Sequence, residues 1–221
     1  MEKIIIGIDE VGRGPIAGPV CVCAFALKHK PAPLKLKMKI SRPNDWYRSV
    51  GRAKLKIGDT RISLLDSKKL SKLQREKWFA QIKIWQKEGK CDFFVSSVSA
   101  REIDKIGISK AIQKALVNSL FSLNLNLKSL ILLDGGLRAP AEFTNQKTII
   151  KGDEKEPAIA LASICAKVVR DRHMAEQAKK FPEYGFECHV GYGTKAHYEA
   201  VRKNGLSSIH RRSFCKNLKS R

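Results

Sequence analysis

Apolar residues fall along the chain in short runs, and these runs predict the strands of a buried sheet. Residues 3–9 and 19–27 are almost wholly apolar, and a glycine- and proline-containing turn separates them. Residues 130–133 and 147–151 give two further short strands, while 93–98 alternates apolar and polar positions. The pattern therefore begins with a hairpin-like pair of strands and continues with single strands.

Helical spacing fills the stretches between the later strands. Ser71, with Gln74 three residues further on, forms a capping box that predicts a helix reaching about residue 87. Pro157 begins a long helix rich in small residues. Shorter helices are predicted after Ser99, at 109–123 and at 195–204. Strands that first pair and then alternate with helices are typical of an α/β domain with a mixed sheet.

Four acidic residues close or follow the predicted strands. Asp9 and Glu10 close the first strand, Asp134 ends another, and Asp153 follows the last. Ligand sites of open α/β sheets lie just outside strand ends, so three elements can bring these carboxylates to one place. Clustered carboxylates repel each other unless a divalent cation binds them, and oxygen-only ligands favour Mg²⁺ or Mn²⁺. The pattern predicts a two-metal site for phosphodiester cleavage.

The same acids also have a simpler interpretation. Acids after strands are common turn residues, and each of the four could merely cap a helix. Asp9 and Glu10 are consecutive, so their side chains point to opposite faces of a regular strand. Both can serve one site only if the strand ends or bulges between them.

The turn after the first strand, Gly12–Arg13–Gly14, is the second candidate feature. Glycines allow backbone amides to approach a phosphate or sugar closely, and an arginine between them can grip a phosphate. A tight turn that needs glycine explains the same residues equally well.

The charge balance points to a polyanionic partner. The chain has 43 Lys and Arg against 21 Asp and Glu, a net charge of +22. Such an excess recruits nucleic acid, with solubility alone and an anionic membrane as the weaker alternatives. Residues 28–61 hold eleven Lys and Arg against two acids, a local charge of +9. This stretch is predicted to be either an arm along the nucleic-acid backbone or a solvated loop.

Targeting signals and cysteine spacing indicate the cellular compartment and the kind of metal site. No apolar run approaches the length of a membrane span, and the first residues do not resemble a signal peptide, so we expect a cytoplasmic protein. The six cysteines show neither a CxxC pair nor histidine pairing at zinc spacing. We interpret them as small core or surface residues rather than zinc ligands.

Five blocks of sequence, taken together and in order, resemble the ribonuclease HII family. They are GIDEVGRGPIAGPV, DSKKLS, LLDGG, KGDEKEPAIALASICAKVVRDR, and GYGTKAHYEAVRKNG followed by IHRRSF. The blocks cover the chain except for a basic insertion at about 28–62 and the helices at 78–128. The sibling family, ribonuclease HIII, differs at the glycine–arginine–glycine turn and carries an extra N-terminal domain, so it is disfavoured.

The resemblance implies a ribonuclease H-like fold, a five-stranded mixed sheet flanked by helices. One catalytic domain would span residues 1–221, with a helical segment at about 182–221 closing the substrate groove. It also implies a metal site of four carboxylates that binds Mn²⁺ or Mg²⁺, carried here by Asp9, Glu10, Asp134 and Asp153. Asp171 is a fifth candidate, although an ion pair with its neighbours Arg170 and Arg172 is the preferred interpretation.

The implied substrates are RNA–DNA hybrids and duplex DNA containing single ribonucleotides, without a membrane or an obligate protein partner. Gly12, Arg13 and Gly14 match the turn that contacts the ribose 2′-hydroxyl in the family. Tyr192 matches the family's tyrosine that packs on the neighbouring deoxyribose. Softer candidates for phosphate contacts are Lys68, Lys69, Lys167, His210, Arg211 and Arg212, each of which is more often a solvated charge.

The implied reaction is endonucleolytic hydrolysis of the RNA strand, leaving a 3′-hydroxyl and a 5′-phosphate. A non-catalytic hybrid-binding protein on the same fold is the alternative from another class. It is disfavoured because a binder gains nothing from four acids that face phosphates. Another nuclease or integrase of this fold would leave the GRG and GYGT motifs unexplained together.

Overall fold

The computed structural model describes residues 4–28, 54–57, 60–63, 70–123 and 129–216 of the chain. The strands are β1 (Ile5–Val11), β2 (Val20–Leu27), β3 (Lys54–Ile57), β4 (Thr60–Ser63), β5 (Cys91–Val98), β6 (Leu130–Asp134) and β7 (Gln146–Ile149). The helices are α1 (Lys72–Lys87), α2 (Ala100–Ile106), α3 (Ile108–Phe121), α4 (Pro157–Lys180), α5 (Phe186–His189) and α6 (Lys195–Asn204). A 3₁₀ turn, Gly152–Glu154, precedes α4.

Five strands form one mixed sheet in the order β5–β2–β1–β6–β7. The central strand β1 is antiparallel to β2 and parallel to β6. One face of the sheet packs on α1 and α4, and the other packs mainly on α3. Because both faces are covered, β2 is buried at every position, as its apolar run predicts. The predicted α/β class with a five-stranded mixed sheet is confirmed.

Local signals set the helix boundaries. The Ser71 hydroxyl accepts from the Gln74 backbone while the Gln74 side chain accepts from the Ser71 N–H, so the predicted capping box is present at the start of α1. Ser99 caps α2, and Gly107, with φ of 81°, separates α2 from α3. Pro157 occupies the first position of α4, where its missing N–H costs nothing.

The C-terminal part of the described chain has its own apolar cluster. Tyr184 and Phe186 pack with Val201 of α6 against the second half of α4, at Met174 and Ala178. Ala17, in the turn between β1 and β2, belongs to the same cluster. The cluster therefore joins the C-terminal segment to the turn that carries the GRG motif.

Much of the predicted basic insertion, residues 28–62, lies outside the described residues, and so does Lys68. The backbones of β3 and β4 are described, and they pair antiparallel as a two-stranded sheet separate from the main one.

Candidate active site

The predicted acids lie at the edge of the sheet where the parallel strands β1 and β6 end. Pairing between these strands stops at Ile8–Leu133, and the next residues are Asp9 and Asp134. Asp134 Oδ1 accepts a hydrogen bond of 2.6 Å from the Gly152 N–H, which attaches the turn containing Asp153 to the end of β6. Asp153 is fully buried and Asp9 is 6% exposed. Three separate elements thus deliver carboxylates to one edge.

Asp9 and Glu10 share this edge although β1 neither ends nor bulges between them on its β2 side. The register with β2 runs without interruption through Glu10 to Val11, so the expectation of an end or a bulge there is wrong for that side. On the β6 side, the ladder has already stopped at Ile8. Burial raises the pKa of both residues, and the carboxylate of Asp134, at the end of the shorter strand β6, raises it further.

Burial and mutual repulsion perturb the titration of this cluster. Burial is the largest cause that raises the pKa of Asp9 well above its usual range; Asp134, Glu10 and Asp153 raise it further, against a hydrogen bond from Ser163 that lowers it. Burial and then Asp134 raise the pKa of Glu10. Negative charge in this place is therefore unfavourable until a cation compensates it.

The donor set fits a hard divalent cation by its chemistry, since all the candidate ligands are carboxylate oxygens. Among the described residues, no three His, Cys, Asp or Glu side chains already stand as a closed metal-binding group. One oxygen of Asp9 accepts from the Glu10 N–H at 2.8 Å, and one of Asp134 accepts from Gly152. A carboxylate oxygen that accepts a hydrogen bond keeps a further lone pair that can bind a cation, so both carboxylates can still act as ligands.

The glycine–arginine–glycine turn directly follows β1. Gly12 has φ of 87°, and a Cβ there would overlap the Arg170 guanidinium, so only glycine fits. The Arg13 side chain is 63% exposed and lies 3.8 Å from Glu10. The turn therefore offers one solvated guanidinium beside the acidic edge.

Tyr192 lies next to this turn in space, although 178 positions separate it from Gly14 in the sequence. A Cβ built on Gly14 would be 3.9 Å from Tyr192 Cε1. The backbone N–H groups of Ile16 and Ala17 both donate to the Gly191 carbonyl. Tyr192 is 42% exposed, so it is not a core tyrosine.

Two buried arginines hold these loops together, a role that the sequence analysis predicted for neither of them. Arg170 donates to the carbonyls of Pro19, Ala17 and Val190. Arg211 donates to the carbonyls of Gly12, Arg13 and Gly18. Both side chains are fully buried, and burial lowers the pKa of each, that of Arg211 to about 10.

The expectation that Arg211 and His210 contact phosphates is wrong, because both are buried and occupied within the protein. A signal for Arg170 was present in the sequence. Ala166, Arg170 and Met174 recur every four residues on the buried side of α4. An arginine in such a stripe indicates a buried structural cation rather than a solvated one.

Asp171 makes ion pairs, but not with the neighbours that were predicted. Its carboxylate lies 2.8 Å from Lys167 and 3.5 Å from Arg75. Arg172 instead pairs with Glu76. Side chains at consecutive helix positions diverge by about 100°, so a helical residue forms ion pairs with residues four positions away or on a neighbouring helix more readily than with adjacent residues.

Three histidines form one cluster beneath the Tyr192 loop, and two of them, His189 and His197, have no partner that the sequence identifies. The rings of His189 and His197 stack at 4.2 Å, and His197 Nε2 lies 3.0 Å from His210 Nε2. Burial is the main cause that lowers the pKa of both His197 and His210 to about 4. Both rings are therefore neutral at physiological pH.

This cluster predicts loss of stability on the acid side. The folded-state pKa of His197 and of His210 lies below the ordinary 6.5, so between pH 6.5 and 4 the unfolded chain binds more protons. Their contribution to stability is complete above pH 6.5 and is lost as the pH falls toward 4. Urea unfolding at about pH 7.5 and about pH 5.5 should show a loss of roughly 1 kcal/mol for each histidine.

The matched variant for this measurement is His210→Gln. The raised pKa values of Asp9 and Glu10 increase stability as the pH falls, which opposes the effect of the histidines. This opposing effect is the same in the variant and in the parent protein, so the difference between them isolates His210. The variant should lose about half of the histidine contribution to the acid-side fall. If the variant and the parent protein fall equally, these histidines are not the groups that titrate.

All six cysteines are free thiols, five of them buried. Within the described ranges, none of the helices has the length and apolar character needed to span a membrane.

A five-stranded mixed sheet of this order, flanked by helices and carrying acids at one edge, defines the class of ribonuclease H-like proteins. In keeping with that class, a solved complex of PCNA with ribonuclease HII from Archaeoglobus fulgidus has a similar fold, with a TM-score of 0.70 at 24% identity over 98% of this chain and 97% of that one. Bst-RNase HIII in complex with Mn²⁺ is also similar in fold, with a TM-score of 0.58 at 17% identity over 99% of this chain and 71% of that one.

Sequence comparison identifies the family within that class. The sequence model of the family described as Ribonuclease HII matches residues 6–41 and 59–217. Ribonuclease HII of Shouchella clausii is 39% identical over 210 residues, which are 95% of this chain and 68% of that relative. The chain belongs to the ribonuclease HII family of endonucleases, which hydrolyse RNA in RNA–DNA hybrids.

Proposed function

We propose that this chain hydrolyses RNA–DNA hybrids, and duplex DNA at a single embedded ribonucleotide, with the four carboxylates Asp9, Glu10, Asp134 and Asp153 as its catalytic centre. The observation that carries the proposal is their convergence at one sheet edge, where three of them raise the pKa of Asp9. Four acids that face a polyanion would weaken binding, so their presence in a chain of net charge +22 favours a catalytic role.

The four carboxylates would hold two divalent ions, Mg²⁺ or Mn²⁺, which when bound supply water activation and charge stabilisation at the phosphate. Water adds to the phosphorus and the bond to the 3′-oxygen breaks, so the products are a 3′-hydroxyl and a 5′-phosphate. A proton from the water balances the charge on the leaving oxygen. Asp134 holds the Asp153 turn in place through Gly152, which fixes one ligand relative to another.

The GRG turn supports recognition of the ribose. Gly12 and Gly14 lack side chains at a loop that adjoins Glu10, so backbone groups there can approach a sugar hydroxyl. The exposed guanidinium of Arg13 can donate to a phosphate of the same strand. Lys68, proposed as a further phosphate contact, lies outside the described residues and stays a prediction.

Tyr192 is proposed to pack on the deoxyribose that follows a ribonucleotide. Replacing it by Ala should lower kcat/KM at a single embedded ribonucleotide by roughly tenfold, a typical loss for one stacking contact, and should affect continuous hybrid far less. The reason is that a deoxyribose follows the cleaved ribonucleotide only in the first substrate. Kinetics on the two substrates under the same conditions measure the ratio. Equal losses on both would make Tyr192 a packing residue.

One gel experiment tests the proposed function directly. A duplex DNA with one ribonucleotide is incubated with the protein and Mg²⁺ or Mn²⁺, and a parallel sample contains a chelator. We expect one cut on the 5′ side of the ribonucleotide, a 3′ end that a polymerase can extend, and no cleavage with chelator. Cleavage of continuous hybrid without cleavage of this duplex would contradict the proposed activity at single embedded ribonucleotides.

Three broader features belong to the same proposal. The sheet and the C-terminal segment would act as one catalytic domain, because a shared apolar cluster joins them through α4. The six free thiols support a cytoplasmic location. The role of the basic insertion as an arm along nucleic acid stays a prediction, and no obligate protein partner is proposed.

A further inference from the structure

The loop that carries Tyr192 has an unfavourable backbone. Val190 has φ of 43° and Gly191 has φ of 88°. A β-branched residue rarely adopts positive φ, and such strain persists only where surrounding contacts over-determine it. The loop therefore needs strong anchors, although its most prominent side chain points into solvent.

Side chains from three different positions supply those anchors. Arg170 donates to the Val190 carbonyl at 3.0 Å, and the Gly191 N–H donates to His189 Nδ1 at 3.2 Å. His197 Nδ1 lies 2.8 Å from the carbonyl oxygen of Tyr192 itself. The Thr194 N–H donates to the same oxygen. His197 is thus the side chain that holds the backbone of the tyrosine.

The proton positions in this cluster follow from its partners. The Tyr192 carbonyl can only accept, so His197 carries its proton on Nδ1, and its Nε2 must accept. The Ser207 N–H donates to His210 Nδ1 at 2.9 Å, so the proton of neutral His210 is on Nε2. His210 Nε2 then donates to His197 Nε2 at 3.0 Å. One relay, from Ser207 through two imidazoles to Tyr192, satisfies every group in it.

We infer that His197 is a positioning residue for ribonucleotide selectivity, and that it acts by fixing the backbone of Tyr192 through Nδ1. His197 is fully buried and cannot touch substrate, so its effect passes through the loop. The inference rests on the proposed function of Tyr192 at single ribonucleotides. The contribution of His197 to selectivity therefore depends on one nitrogen atom, Nδ1, and not on the volume of the ring.

That dependence on one atom gives a matched pair of variants. In His197→Asn, the side-chain amide lies near the former position of Nδ1 and can still donate to the Tyr192 carbonyl. In His197→Gln, the amide lies near the former position of Nε2, so contact with His210 is kept and the bond to Tyr192 is lost. Both variants lose the aromatic ring and its packing on Phe186 and His189.

The measurement is the ratio of kcat/KM for duplex DNA with one ribonucleotide to that for continuous RNA–DNA hybrid. His197→Gln should lower the ratio by about tenfold, the same fall that is expected for Tyr192→Ala. A tenfold fall corresponds to one lost hydrogen bond at the upper end of its usual range. His197→Asn should keep the ratio within about threefold of the parent value. Urea unfolding of both variants measures the loss of packing separately.

Two outcomes would overturn the inference. One is an equal ratio for the two His197 variants, whatever their stability, because a purely structural role cannot distinguish the two nitrogen positions. The other is an unchanged ratio in His197→Gln while Tyr192→Ala lowers it. If Tyr192→Ala also leaves the ratio unchanged, the proposed role of Tyr192 has failed instead, and the parent protein's cleavage of each substrate shows how much of the proposed function survives.

His210→Asn keeps the test decisive should a His197 variant fail to fold. Its amide can still bond Ser207 but cannot reach His197, so His197 Nε2 loses the donor that reinforces the Nδ1 proton and holds the ring in place. We expect a fall in the ratio of about threefold, less than that from losing the bond outright. A ratio equal to that of the parent protein, in a folded His210→Asn, would contradict the relay.

Discussion

Replacing Asp9 or Asp134 by Asn should abolish cleavage of RNA–DNA hybrid while leaving hybrid binding nearly intact. Each change removes one ligand charge and almost no volume. The rate at saturating substrate should fall roughly a thousandfold or more, because bound metal ions supply several kcal/mol of transition-state stabilisation. Binding, measured by fluorescence anisotropy with chelator present, should hold or improve, since a charge that repels phosphate is gone.

The matched control for these variants is Asp92→Asn. Asp92 also lies on a strand of the sheet, but it pairs with Ala26 in the half of β5 remote from Asp9, and it accepts from Gln86. Its rate should stay close to that of the parent protein. Near-native rates in Asp9→Asn or Asp134→Asn with Mg²⁺ would show that the ligand assignment is wrong.

The choice of the fourth carboxylate is tested by the pair Asp153→Asn and Asp171→Asn. Asp153 lies in the turn held by Asp134, whereas Asp171 is occupied by Lys167 and Arg75. We expect Asp153→Asn to be severe, with partial rescue by Mn²⁺, and Asp171→Asn to act mainly on stability. The reverse order of damage to the rate would place Asp171 in the site.

A second large effect is expected from Gly7→Ala, which should destabilise the fold and lower the rate together. A Cβ at Gly7 would overlap the backbone of Ala158 and Ile159 at the start of α4. Backbone atoms cannot move aside as a flexible side chain can, so the cost should be about 3 kcal/mol or more. Helix α4 carries Ser163, which bonds Asp9, and it follows the turn of Asp153 directly. Displacing its first turn therefore also displaces the site.

Urea unfolding and the cleavage rate of the folded protein measure the two effects of Gly7→Ala separately. Gly136→Ala is the steric control, because a Cβ there has no atom within 4 Å and φ is not in the left-handed region. Its unfolding midpoint should match that of the parent protein. Should Gly7→Ala unfold at the same urea concentration as the parent, α4 does not approach β1 as closely as described.

The sequence by itself determined the elements and most of the candidate site. Helix α1 begins at a capping box, in which the side chains of Ser71 and Gln74 each accept a hydrogen bond from the other residue's backbone N–H. Strand β2 is buried along its whole length because all of its residues are apolar, and Asp134 ends β6 as the pattern predicted. These features depend on neighbours a few positions away, so local periodicity and capping chemistry are enough to place them.

Only the tertiary structure decided how distant residues meet. Asp9 and Glu10 share one edge because β6 stops pairing at Ile8, which depends on where two strands remote in sequence come into register. Arg170 and Arg211 bind carbonyls more than 150 positions earlier in the chain, whereas the sequence suggested an ion pair for Arg170 and a phosphate contact for Arg211. A local pattern cannot specify such partners, because a buried polar group is satisfied by whatever carbonyls and rings the folded topology places beside it.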